Sequence, residues 1–381
     1  MACFLPPWYA TCPRGKRDLA GQIGQFESVR GIAATWVFVS HALLIAELPI
    51  PLLNNGDLAV DLFILLSGFV ITLLVLRRPE PYGWYVFRRG MRVYPLYLIA
   101  LLLGWATQHL YAPVIGAGLF GPPSDGFVVR EAAVRAALLQ HLALHLTMLH
   151  GMVPDDVLPF AALAFSGPLW SISLEWQFYL VAPLLIWCLD VRHAGRWRWA
   201  ALAAAATLAG NLAARLWWQA EVPAFLPLRL PLFVAGIASG VFWQRAQGMA
   251  PGRLAVALAG GAIVLAAGRF AVWPLLVWGV TYWSAALGGR HGWADRVNAA
   301  LLLAPLRWLG ERSYGVYVLH MPVLLAVSAW AIVPHAQVLG QGGVLMAVLG
   351  CYPLVVGLAA VLYRTVERPV MDWAKRVERA A

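Results

Sequence analysis

The chain has 381 residues, 61% of them hydrophobic and only 12% charged, with a formal net charge of +10. A soluble domain needs about 25% charged residues to cover its surface, so composition excludes one and points to an all-α, polytopic membrane helix bundle. Its basic residues fall in short segments between apolar runs, a topology signal that argues against a nucleic-acid partner.

Residues 1–25 lack the charged start and continuous apolar run of a signal peptide and read as a cytoplasmic tail. About 20 apolar residues cross a bilayer. On that measure ten spans are expected, near 28–46, 57–76, 93–112, 169–189, 199–218, 228–244, 253–268, 270–287, 313–332 and 342–363. With both termini cytoplasmic, 23 of the 28 basic residues lie on the inner side; Arg130, Arg135, Arg215, Arg229 and Arg269 do not. Residues 130–150 also look helical, but counting them as a span would reverse every later loop. They read instead as an amphipathic helix at the outer surface, within one large extracytoplasmic connection, 113–168. A membrane domain over 26–370 and a cytoplasmic tail over 371–381 complete the division.

The first span, SVRGIAATWVFVSHALLIA, carries Arg30 and His41, eleven residues apart. Three helical turns put them on one face, with His41 roughly 16 Å deeper. Ionisable groups inside a membrane are expensive and tend to be functional. His41 is either a core histidine or a general base able to titrate near neutrality. In the second span Asp57 and Asp61 share a face. Counting helix rise from the inner edge brings Asp61 within about one turn of the depth of His41, where it would orient the imidazole or simply cap the helix. Ser67-Gly68 follows, small enough to admit another backbone or a ligand.

Further along come Arg88, Arg89 and Arg92 before the third span, as positive-inside charge or as guanidinium forks for a phosphorylated cofactor. Glu175 lies inside the fourth span, flanked by Trp170, Ser173 and Tyr179, as a salt-bridge partner or a substrate contact. His320 lies in the ninth span. His141 and His145 share a helix face from which His150 points away, and the four cysteines show no ligand spacing, so no metal is expected.

Arg30-x10-His41, GDLAVDLFILLSGFVIT, Arg89-x-x-Arg92 with Val93-Tyr94-Pro95, LWSISLEWQFYL, SYGVYVLHMP and Glu367-Arg368-Pro369 occur in a set order. Over 26–370 this resembles acyltransferase family three, membrane proteins that O-acylate bacterial polysaccharides, O-antigens, Nod factors and peptidoglycan. The resemblance departs at Gln177, where many relatives carry a second acidic residue. It implies a multi-pass protein of the bacterial inner membrane that takes acetyl from cytoplasmic acetyl-CoA, a co-substrate and not a bound cofactor, to an extracytoplasmic or lipid-linked glycan. It also implies Arg30, Arg88, Arg89, Arg92 and Ser67 as the coenzyme A site and His41, Asp61 and Glu175 as the catalytic set. Trp170, Ser173, Tyr179 and His320 would then contact the acceptor. Intramembrane charges also suit a transporter or flippase, although no internal repeat is visible. An acyltransferase acting on a small-molecule sugar is the third reading.

Overall fold

A computed structural model describes residues 24–78, 80–193, 195–246 and 272–380. The expected span 253–268 and nearly all of the 1–25 tail lie outside them. The described residues contain α-helix with short 3-10 and π segments and no strand.

The helices are α1 (Gly24–Ile45), α2 (Gly56–Arg77), α3 (Tyr82–Thr107), α4 (Gly126–Ala136), α5 (Leu138–Leu146), α6 (Trp170–Leu189), α7 (Trp197–Trp217) and α8 (Leu226–Ala246). They continue with α9 (Val272–Leu287), α10 (Gly292–Leu301), α11 (Ala304–Glu311), α12 (Ser313–Val327), α13 (Ala336–Leu349), α14 (Tyr352–Leu362) and α15 (Arg368–Ala380). Among the described residues, six runs are long and apolar enough to cross a membrane: Gly24–Ile45, Gly56–Arg77, Tyr82–Leu110, Gly167–Leu189, Leu226–Trp243 and Ser313–Glu378. The last folds back on itself, because α12 packs against α14. The chain is therefore a multi-pass membrane protein.

Four expected spans take a different form, one of them 270–287, where α9 is a 16-residue helix too short to be among the six runs. The 199–218 segment forms α7, which is not among the six runs; Arg198, Asn211 and Arg215 dilute its hydropathy. It still exposes Leu202, Leu208, Leu212, Leu216 and Trp217. Its Asn211 Nδ2 donates to the carbonyls of Pro227 at 2.8 Å and Leu228 at 2.9 Å. Pro231, inside α8, has no N–H for the Pro227 carbonyl four residues back, and Asn211 supplies the missing donor. The 342–363 segment breaks at Gly350-Cys351 into α13 and α14. The third span begins earlier than expected, at Tyr82, so Arg88, Arg89 and Arg92 stand on α3 itself and not in a preceding loop.

α1 is the central post, touching α2 and α9 to α13. α2 pairs most closely with α8 because both surfaces are pared to glycine there. A Cβ on Gly68 would meet the Phe233 carbonyl at 2.5 Å, and one on Gly240 the Thr72 side chain at 2.7 Å. The small pair Ser67-Gly68 therefore admits a backbone at Gly68. The C-terminal end of α1 and the N-terminal end of α2 meet where a Cβ on Gly56 would touch the Ser40 hydroxyl.

The segment expected as one surface helix over 130–150 is two short helices broken at Ala137, and its polarity is reversed. His141, His145 and His150 are fully buried while Leu139, Leu142 and Leu146 are exposed. Tyr94 and Tyr97 on α3 hold it, donating to the carbonyls of Leu146 at 2.6 Å and His145 at 2.9 Å. His150 does not point away: its ring stacks on His145 with centroids 3.9 Å apart. No group of three or more His, Cys, Asp or Glu among the described residues is placed to hold a metal ion.

Burial pushes the His150 ring down to about 4, so folding keeps it neutral. Between pH 6.5 and 4 the unfolded chain therefore binds a proton that the folded chain refuses. The stability from this residue is complete above pH 6.5 and is lost on acidification, by about 3 kcal/mol. Thermal unfolding of the detergent-solubilised protein should weaken over that window, and His150→Phe should flatten the fall.

Candidate active site

Two centres emerge from the predicted residues. One is a small, partly open cavity of about 40 Å³ among α1, α2, α6, α8 and α12. Arg30, Ser67, Glu175 and Tyr314 line it, as do Ser171 and Tyr317. Glu175 is held on one oxygen by two hydroxyls: Ser67 donates to Oε1 at 2.6 Å and Tyr179 at 2.5 Å. Four residues separate Glu175 and Tyr179, one turn of α6, and Ser67 meets them because Gly68 lets α2 sit deep in the bundle. Two hydroxyl bonds offset the burial of a carboxylate in apolar surroundings. A further chain links Ser171, which donates to the Tyr317 hydroxyl at 2.8 Å, and Tyr317, which donates to the Pro168 carbonyl at 3.0 Å.

The second centre lies beyond the Tyr317 end of that cavity. His320, one turn further along α12, stands with its ring centroid 4.9 Å from that of His41. His41 Nδ1 is 2.9 Å from the Val37 carbonyl and 3.3 Å from His320 Nε2. His320 Nδ1 lies 2.5 Å from the Tyr317 carbonyl. His320, read from sequence as an acceptor contact, is instead the neighbour of His41.

Asp61 does not orient His41. It is buried against Arg229 of α8, whose Nη1 is 3.0 Å from Oδ1 and 3.3 Å from Oδ2. Helix rise counted back from Leu76 misplaces it, because the C-terminal end of α1 and the N-terminal end of α2 are in register, where Gly56 abuts Ser40. That register brings Asp57, one residue later, to the level of His41, and it is the carboxylate whose charge reaches that ring. Arg229 is the residue that sequence reasoning missed. Its signal was present: a basic residue inside an apolar run, outside the positive-inside pattern, requires a buried carboxylate.

The arginines divide. Arg88 is spoken for, its guanidinium clamped between Glu80 and Glu378 of α15, so the expected phosphate contact is corrected to a structural one. Arg92 lies 3.8 Å from the buried Glu367 and 3.1 Å from the Met371 sulfur. Arg30 is 3.4 Å from Glu27 and faces the cavity. Arg89 has no ion pair or hydrogen bond among the described residues; its Nε is buried without a partner, and its charge reaches Tyr179, the neighbour of Glu175.

Two expected acceptor contacts are structural. The Ser173 hydroxyl is fully buried and accepts from the Gly151 amide at 3.0 Å and Gln177 Nε2 at 3.3 Å. Trp170 is packed into the apolar core. Gln177 donates to the Ala224 carbonyl at 2.9 Å and accepts from the Leu226 amide at 2.9 Å. That pair of bonds needs a donor and an acceptor on one side chain, which a carboxylate does not supply.

Residues 23–364 match the family model described as an acyltransferase domain. The chain is 27% identical over 291 residues to the acyltransferase MdmB of Streptomyces mycarofaciens, covering 71% of this chain and 68% of that one. It is 24% identical over 380 residues to BcsY of Komagataeibacter xylinus, named as a membrane-bound transacylase, covering 96% and 86%. It is also 24% identical over 302 residues to YrhL of Bacillus subtilis, named as a peptidoglycan O-acetyltransferase, covering 71% of this chain and 45% of that protein. No solved structure matches the chain.

Proposed function

Because the chain belongs to acyltransferase family three, we propose that it moves an acetyl group from cytoplasmic acetyl-CoA to a hydroxyl of an extracytoplasmic or lipid-linked glycan. The proposal includes ten spans in a bacterial inner membrane, with both termini and the tails 1–25 and 371–381 cytoplasmic. The observation that carries it is the cavity running from Arg30 to Tyr317, one helical turn short of the two histidines. A long, narrow donor with an anionic head and a thioester tip suits a path with cations at one end and a base at the other.

In this reading Arg30, Arg89 and Arg92 meet the phosphates of coenzyme A. Ser67, Glu175 and Tyr179 flank the pantetheine arm, whose amide N–H groups a carboxylate accepts well. His41 takes the proton of the acceptor hydroxyl, whose oxygen attacks the thioester carbonyl. The carbon–sulfur bond breaks, and the departing thiolate recovers the proton from His41. The glycan assignment draws support from the Bacillus relative, which is named as a peptidoglycan O-acetyltransferase.

Protection of the purified protein against heat by acetyl-CoA tests the donor half. The wild type should gain stability with rising acetyl-CoA concentration. Arg89→Ala should weaken the apparent affinity by about 10- to 100-fold, the range for a lost charge-assisted contact. Glu378→Gln, which perturbs the ion pairs of Arg78 and Arg88 and none of Arg30, Arg89 or Arg92, should leave it within about twofold. Absence of protection in the wild type would refute donor binding and favour a transporter.

A further inference from the structure

The hydrogen-bond directions at the two histidines carry a conclusion that the proposed reaction does not contain. A carbonyl oxygen only accepts. The contact of His320 Nδ1 with the Tyr317 carbonyl, 2.5 Å, therefore places a proton on that nitrogen. A neutral imidazole with a proton on Nδ1 has a bare, accepting Nε2. That bare Nε2 faces His41 Nδ1 at 3.3 Å. His41 Nδ1 also faces the Val37 carbonyl at 2.9 Å. Two acceptors thus converge on one nitrogen, and a single shared proton satisfies both. His41 is left with a bare Nε2, which makes no hydrogen bond among the described residues and belongs to a half-buried side chain.

We infer that His320 is the positioning residue of the active site: a neutral histidine that holds His41 as the Nδ1–H tautomer and makes Nε2 the reacting nitrogen. It does the work that a carboxylate does beside a catalytic histidine in soluble hydrolases. The difference is its charge. A carboxylate buried beside His41 would need its own counter-ion, as the buried Asp61 needs Arg229; a second imidazole orients the base without adding charge to an apolar bundle. The backbone carbonyl of Val37 alone does not complete the constraint, because any helical histidine meets the carbonyl four residues back and can turn its ring away from it. His320 is fixed in turn: it is fully buried, and Tyr317, whose carbonyl holds it, is tied through its hydroxyl to Ser171 and Pro168. The inference rests on His41 as the base of the proposed transfer.

The test uses the purified full-length protein labelled with 15N-histidine, together with three substitutions. Glutamine at 320 keeps an acceptor where Nε2 stood; asparagine keeps only a group near Nδ1; leucine keeps neither. Two-bond 1H–15N correlations, with His41 assigned by its disappearance in His41→Ala, should show its proton on Nδ1 in the wild type and in His320→Gln. In His320→Leu the proton should be redistributed toward Nε2. Transfer of labelled acetyl from acetyl-CoA to the envelope of cells expressing each variant should follow the same order. His320→Gln should stay within about tenfold of wild type, and His320→Asn and His320→Leu should fall by about 10²-fold or more, as for a wrong-tautomer histidine. A purely structural His320 would not separate glutamine from asparagine. A His41 proton on Nε2 in the wild type, an unchanged tautomer in His320→Leu, or equal activity of the Gln and Asn variants would overturn the inference. If His41→Ala itself transfers normally, the proposed reaction fails, while the spectra still decide the tautomer.

Discussion

Replacing His41 by alanine should lower acyl transfer by about 10³-fold, within the range contributed by a positioned general base, and leave acetyl-CoA binding intact. The separation follows from placement. His41 does not line the cavity, whose walls include Arg30, Ser67 and Tyr317. The structural cost is small: the ring is half-buried, and its removal frees one neutral acceptor on His320 and the Val37 carbonyl, worth about 1 kcal/mol each. Heat protection by acetyl-CoA should therefore survive in the variant while acetyl-CoA consumption in the presence of acceptor stops. A variant that loses both would mean that the histidine pair and the cavity form one binding site.

The second large effect falls on stability. Asp61 and Arg229 are an ion pair between the two most tightly apposed helices, with side chains 3% and 15% exposed. Removing one partner strands the other in an apolar interior, at about 3–5 kcal/mol, a large share of the 5–15 kcal/mol typical of a folded domain. Asp61→Ala should lower the thermal midpoint sharply, and Asp61→Ala with Arg229→Leu should recover much of the loss, because the double variant leaves no buried charge. Measured as a double-mutant cycle, the coupling should exceed about 1 kcal/mol. Activity separates this role from the one that depth counting suggested. Asp61→Asn, assayed below its midpoint, should retain most of its transfer, whereas loss of a residue orienting His41 would cost orders of magnitude.

Much of this was legible in the chain. The apolar runs gave α1 and α2 to within a few residues, and the ordered motifs led to the family in which the chain proved to lie. Arg30, Ser67 and Glu175 do meet at one cavity. What failed was relative depth. A count along one helix assumes that two helices enter the membrane level, and nothing in the sequence shows that Gly56 seats against Ser40. Partner choice failed for a related reason. Arg88 and Arg89 are adjacent, yet a helix turns them about 100° apart, which sends one to Glu378 near the chain end and leaves the other beside Tyr179. Residues 290 positions apart announce no such clamp. The buried histidines 141, 145 and 150 defeated the pattern differently: in a membrane protein an amphipathic helix can carry its leucines outward and its polar ring atoms inward.

The proposed reaction passes acetyl from acetyl-CoA to a glycan hydroxyl at His41. Mass spectrometry of the exported glycan measures it directly, in cells lacking their own copy and supplied with the wild type or with His41→Ala. With the wild type, the glycan should carry ester-linked acetyl that mild base removes. With His41→Ala, produced and inserted to the same level, the same glycan should lack it. Equal acetylation in the two strains, or none in the wild type although the protein binds acetyl-CoA, would contradict the claim.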